Sequence, residues 1–224
     1  MQAGNSGLFV TFEGTEGAGK STLIREIARQ LIASGFSDSQ ICLTREPGGT
    51  PVAEQIRKTI LEQKMSPWTE LFLYEAARAD HLEQTILPGL RRGQIVLCDR
   101  FSDSSLAYQA HARGLPWNTV KSVNKIATQG LRPDVTFLID IDPAVGLTRA
   151  LKRGDKNRFE AEGLVFQKKV RAGFLRARRE RPGAWIVLRP AQKLPPQLAR
   201  DAIEALEKRF GARLHRIKTG ASRG

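Results

Sequence analysis

Between an apolar run and an amphipathic stretch stands EGTEGAGKS, Glu13 to Ser21. From Gly14 through Gly19, Lys20 and Ser21 the spacing is GxxxxGKS. Glycines at these places let backbone N–H groups close around phosphate oxygens, the lysine reaches the β and γ phosphates, and the hydroxyl ligates magnesium. Gly14, Thr15, Glu16, Gly17, Ala18, Gly19, Lys20, Ser21 and Thr22 are therefore the expected nucleoside-triphosphate site. Asp99 closes the run IVLCD, a position from which a carboxylate can hold magnesium opposite such a loop; a simple strand-end cap is the competing explanation. Arg45, Arg78 and Arg100 punctuate the segments that follow. Each alone reads as a surface arginine, but together they suggest a lined anion cleft, because a guanidinium stays charged and grips two oxygens at once.

These groups need a scaffold, and the hydrophobic pattern supplies one. LFVTFE, Leu8 to Glu13, reads as a strand, and Ile24, Ile27, Ala28 and Leu31 mark a helix from Ser21 to about Ala33. Further apolar runs are ICLT from Ile41, QIVLCD ending at Asp99, VTFLIDI from Val135 and AWIVL from Ala184. Helical patterns separate them. One carries Val52, Ile56 and Ile60, one runs between Pro67 and Pro88, and the last carries Ala199, Ile203, Leu206 and Phe210. Five such runs argue a parallel sheet covered on both faces, an α/β fold in a single domain. In that architecture ligands sit beyond the carboxyl ends of the strands, where the polar segments after Phe12, Thr44, Cys98 and Ile141 all fall.

Composition bounds the rest. The 224 residues are 41% apolar, enough for one core, and 36 Lys plus Arg against 23 Asp plus Glu leave a net charge of +13. That excess fits a nucleic-acid partner, an anionic small substrate or a solubilising surface. Its scattered distribution and the lack of an aromatic-interleaved basic motif weigh against nucleic acid. Cys42 and Cys98 lie in strand-like runs and read as buried thiols without zinc spacing. No early segment suggests a membrane span or signal peptide, so a cytoplasmic protein without a membrane partner is expected. The guanine-reading NKxD pattern is not found, since GDKNRFE has the wrong order. The arginines of RARRERP read as a solvated helix face, and the basic tail from about 215 to 224 as frayed.

EGTEGAGKST, LTREPGGTPVAEQIR, LFLYEAARADH, LCDRFSDSSLAYQ, RPDVTFLIDIDPAVGLTRA and NRFE together resemble, in order, the signature segments of bacterial thymidylate kinases, from Phe9 to Glu160. The resemblance implies a doubly wound, five-stranded parallel sheet of the P-loop nucleoside monophosphate kinase type. It also implies transfer of the γ-phosphate of ATP to dTMP with magnesium, and a homodimer. A kinase for another nucleoside monophosphate and a nucleic-acid-binding P-loop ATPase are the alternatives.

By the same resemblance Phe72 would stack on thymine and Arg78 contact the base, although from the residues alone Phe72 could equally be core. Arg45 and Arg100 match acceptor-phosphate arginines. Ser104 and Ser105 fall near pyrimidine and sugar, Tyr108 where it would crowd a ribose 2′-hydroxyl, and Gln109 beside it. Glu13 matches an acidic residue next to the reacting phosphates. The loop itself has no arginine, so GLTRALKRGDKNRFE resembles the form of the family with a lid over about 149–160. In it Arg153 would be the catalytic arginine, with Arg158 beside it and Arg149 one turn before. The family's usual glycine after YQ is Ala110 here, so a turn tolerating a side chain is expected there. Arg113 follows without an assigned role.

Overall fold

A computed structural model of the chain describes residues 7–152, 162–190 and 193–220. Five strands, β1 (Leu8–Glu13), β2 (Ile41–Arg45), β3 (Ile95–Asp99), β4 (Val135–Ile139) and β5 (Trp185–Leu188), form one parallel sheet in the order β2-β3-β1-β4-β5. β1 is buried on both faces, which is why its sequence is a nearly continuous apolar run. Leu8, Val10 and Phe12 point into one layer with the helix α1 (Lys20–Ala33) and the last helix, while Phe9 faces the other layer with Val96 and Phe101. Thr11 and Thr136, buried side by side on β1 and β4, satisfy each other with a hydrogen bond of 2.9 Å.

The remaining helices are α2 (Pro51–Glu62), α3 (Pro67–His81), α4 (Leu87–Arg91), α5 (Ser102–Ser105), α6 (Trp117–Ala127), α7 (Pro143–Lys152), α8 (Gly163–Glu180) and α9 (Pro195–Thr219). Local chemistry starts two of them. The Thr50 hydroxyl accepts from the Ala53 amide at 3.0 Å and the Ser66 hydroxyl from the Thr69 amide at 3.1 Å, each followed by proline at the first helical position.

Two sequence expectations shift here. The helix after Pro67 does not stop at Pro88 but passes through a π-helical stretch, Leu82–Ile86, into α4, whose first turn tolerates a residue without an amide hydrogen. Ala110 lies inside a second π-helical stretch, Leu106–Ala112, and the chain turns at Gly114, where φ is 83°. Packing explains that stretch: a Cβ on Gly173 of α8 would stand 2.7 Å from the Ala107 Cα, so α8 lies directly against this backbone. The C-terminal segment is helical to Thr219, because Ile217 is buried and its carbonyl accepts from Gln40 Nε2 at 2.6 Å. Within RARRERP, Arg181 is tied at 3.1 Å to the buried Asp103, and Arg176 lies 4.1 Å over the Trp117 ring.

Candidate active site

The sheet register brings the carboxyl ends of β1, β2 and β3 together: Phe12 pairs with Asp99, and Asp99 with Arg45. The glycine-rich loop leaves β1 here. Gly14, Gly17 and Gly19 all have positive φ, at 150°, 68° and 89°, conformations that side chains with a Cβ strain to adopt. Gly17 is required a second time, since a Cβ there would meet the Gly146 carbonyl of α7 at 1.9 Å. The helix leading toward 149–160 is thus seated on the loop itself. From the other side, Gln167 of α8 accepts the Glu16 amide at 3.3 Å.

Lys20 is folded back over this loop, its Nζ donating to the carbonyls of Gly14 and Thr15 at 3.2 Å each. Burial, with Arg100 nearby, lowers its pKa, so a phosphate arriving here meets a poorly solvated ammonium. The Ser21 hydroxyl donates to Asp99 Oδ2 at 2.6 Å, whereas Asp99 Oδ1 is buried without a hydrogen-bond partner among the described residues. A hydroxyl and a carboxylate with an unused oxygen suit a hard cation that takes its other ligands from phosphate and water. Among the described residues no group of three His, Cys, Asp or Glu could hold a metal alone.

Arg100 occupies a strained place, with φ of 71°. Its guanidinium bonds Glu16 at 2.7 Å, the Tyr108 hydroxyl at 3.0 Å and the Gly14 carbonyl at 3.1 Å, which joins the loop to the cleft beside it. Behind it Glu13 is fully buried; Oε1 accepts from the Phe101 amide at 2.9 Å and Oε2 from Ser104 at 2.6 Å. Burial pushes its pKa up to about 8, against a smaller opposing pull from Arg100.

A cleft opens beside the loop. Six of the expected substrate residues line it: Arg78, Arg100, Ser104, Ser105, Tyr108 and Gln109. Two do not. Phe72 is 56% exposed and stacks on Trp68 one turn earlier, away from the cleft. It is neither core nor wall; the aromatic residue of α3 that lines the cleft is Tyr74, two positions on and on the other side of the helix. Arg45 also turns outward and pairs with Glu54 at 3.0 Å. The arginine that faces the cleft in its place is Arg57 of α2, held by the Pro47 carbonyl at 3.0 Å. Its pKa is lowered by burial and by repulsion from Arg45 and Arg100, the mark of a site that favours an added anion. Neither Arg57 nor Tyr74 stands out in the sequence, because their helical phase relative to the sheet edge is not written in their spacing. Glu46, Pro47, Leu61 and Phe101 complete the wall. Arg153 and Arg158 lie outside the described residues, and Arg149 is exposed in the last turn of α7.

Arg78 is 1% exposed. Its Nε donates to Glu46 at 2.7 Å, Nη1 to Glu75, Ser105 and Asn124, and Nη2 to the Phe101 carbonyl at 3.2 Å. Burial alone would lower its pKa, but the two carboxylates outweigh that and raise it.

A phosphate loop, a metal-ready Ser–Asp pair and an arginine-lined cleft within one guanidinium's reach define a two-substrate phosphoryl-transfer site. The sequence model of the thymidylate kinase family matches residues 12–201. The chain belongs to the thymidylate kinase family. It is 46% identical over 204 residues to the thymidylate kinase of Pseudomonas fluorescens (strain SBW25), covering 90% of this chain and 95% of that protein. It is 45% identical over 191 residues to that of Geobacter sp. (strain M21), covering 81% and 84%. The fold matches the crystal structure of thymidylate kinase from Ehrlichia chaffeensis with a TM-score of 0.73 at 29% identity, over 89% of this chain and 98% of that one. Family membership brings nucleotide-kinase activity with it, and the doubly wound sheet agrees. No helix among the described residues is long and apolar enough to cross a membrane.

Proposed function

We infer that the chain transfers the γ-phosphate of ATP to dTMP, giving dTDP and ADP. The observation that carries this reading is the cleft joined to the phosphate loop through Arg100, lined by the cations of Arg57 and Arg100 and by Tyr74, Phe101, Pro47 and Leu61, a mixture of charge and apolar surface that suits a pyrimidine monophosphate. In this assignment Arg57 and Arg100 hold the acceptor phosphate, Tyr74 packs on the base, Arg78 reaches a base oxygen, and Tyr108 crowds the sugar's 2′ position.

In the reaction an acceptor-phosphate oxygen forms a bond to the γ-phosphorus as the bond to the bridging oxygen breaks. The phosphate nucleophile is already ionised near neutrality, so no strong base is required. Glu13 then serves to hold the Phe101–Ser104 turn, and with it Arg100, against the loop. Magnesium, held by Ser21 and Asp99, would neutralise charge on the β and γ oxygens. Lys20 supplies the fixed ammonium at the loop. Arg153 supplies a guanidinium from the segment that follows α7, where it binds the spread charge of the transition state better than the resting triphosphate. The outward Trp68–Phe72 pair on α3 offers an apolar face for a second copy of the chain, and sedimentation at equilibrium tests that dimer.

The deciding experiment measures ADP release with dTMP, dUMP, CMP, GMP and AMP as acceptors. The expected result is a preference for dTMP; a preference for AMP, CMP or GMP would overturn the assignment.

A further inference from the structure

We propose that Asn124 is a positioning residue for base recognition, acting through Arg78. Asn124 sits on α6, away from the phosphate loop, and is 6% exposed. Its Oδ1 accepts from Arg78 Nη1 at 2.8 Å, and its Nδ2 donates to the Ser102 carbonyl at 2.9 Å. The amide has only one orientation that works, because a guanidinium can only donate and a carbonyl can only accept. One neutral side chain thereby ties two walls of the cleft together, the Arg78 face of α3 and the turn that carries Ser104 and Ser105.

The geometry of Arg78 shows why such a tie matters. Nε and Nη1 are committed to Glu46, Glu75, Ser105 and Asn124, while Nη2 bonds only the Phe101 carbonyl among the described residues. Nη2 carries two hydrogens, so one remains for a ligand in the cleft that Arg78 lines. The two carboxylates offset the charge of the guanidinium, and each is held in turn by a side chain, Glu46 by His81 and Glu75 by Ser105. Asn124 is anchored to backbone, and it sets where the plane of the guanidinium lies relative to the turn, hence where the free N–H points. A pyrimidine carbonyl oxygen is the matching acceptor. A helix-interior asparagine is a poor helix former, so its presence here is not explained by α6 itself.

This inference rests on the dTMP reading above, and the test separates the two. Calorimetric titrations compare dTMP with 2-deoxyribose 5-phosphate, which has the sugar and phosphate but no base, on wild type, Asn124→Ala and Arg78→Lys. Asn124→Ala is expected to weaken dTMP about tenfold, the size of one hydrogen bond to a charged group, and to leave 2-deoxyribose 5-phosphate within about twofold. Its ATP affinity stays that of wild type, which also reports an intact fold, and in turnover KM for dTMP rises while kcat holds. In the Arg78→Lys background the additional loss from Asn124→Ala shrinks toward none, since the shared guanidinium is gone. Equal loss for both ligands would overturn the proposal in favour of a general structural role. A wild-type preference for dTMP that Asn124→Ala leaves intact overturns the Asn124 assignment alone. A wild type that binds the two ligands equally well overturns base reading by Arg78, and the Asn124 assignment with it.

Discussion

Replacing Arg78 by Met tests whether the buried charges under the cleft form one interdependent unit. The side chains of Arg78, Glu46 and Glu75 are 1%, 3% and 6% exposed, so the variant would leave two carboxylates with almost no water. Glu46 would keep His81 at 3.1 Å and Glu75 would keep Ser105 at 2.9 Å, neither of which replaces a guanidinium. Breaking a buried ion pair from one side costs about 3–5 kcal/mol, which for a chain of this length corresponds to a fall in melting temperature of about 6–20 °C. The pH dependence has a definite sign. In wild type, burial opposes the charged form of Glu46, but Arg78 and His81 outweigh it and hold its pKa below the ordinary value. That stabilisation is present above the unfolded-state pKa and lost as pH falls through the folded one. Burial already raises the Glu75 pKa against the pull of Arg78; without Arg78 it rises further and burial comes to dominate at Glu46 as well, so the folded state then binds protons more readily than the unfolded state. The deficit of Arg78→Met relative to wild type should therefore be largest near pH 8 and shrink toward pH 5, and adding Glu75→Gln should recover part of it at pH 8. Paired thermal melts across that range read it out. A variant that melts within about 2 °C of wild type, or a deficit that does not change with pH, would refute the idea of a coupled buried network.

Three further outcomes check the site. Tyr74→Ala should raise KM for dTMP about tenfold while Phe72→Ala changes it less than about twofold; the reverse order would return the stacking role to Phe72. Because burial raises Glu13 to about 8, the folded state retains a proton that the unfolded state releases, so wild-type stability should fall as pH rises from about 5 to 8. Glu13→Gln should flatten that slope in denaturant titrations, and an unchanged slope contradicts the assignment. Arg153→Ala should lower kcat about 10²-fold or more, at least roughly 2.7 kcal/mol of transition-state stabilisation, with little change in dTMP affinity. Full turnover in Arg153→Ala, Arg149→Ala and Arg158→Ala alike would leave the charge to Lys20, magnesium and the backbone.

Short-range order made the donor side legible in the sequence. The strand, the loop and the helix that hold a triphosphate are contiguous from Leu8 to Ala33, and the glycines that permit the loop are the same residues that announce it. The apolar runs likewise pointed to a parallel sheet, since strands buried on both faces, as β1, β3 and β4 largely are, read as continuous apolar text; the edge strand β2 is half-exposed all the same. Residue type and placement singled out Arg78 and Arg100 of the cleft, while the family resemblance supplied Ser104, Ser105, Tyr108 and Gln109. Which side of a helix faces a cleft is another matter. Tyr74 and Phe72 are two residues and about 200° apart on α3, and both sit among apolar neighbours, so only the packing of α3 against α2 and α6 decided that Tyr74 turns inward. The same holds for Arg45 and Arg57, where the Glu54 partner drew the first outward and the Pro47 carbonyl held the second in place. Asn124 shows the limit most clearly. It stands 46 residues from Arg78 in the chain, and nothing local joins them; the contact exists because β1, β3 and β4 set the helices that cover them side by side.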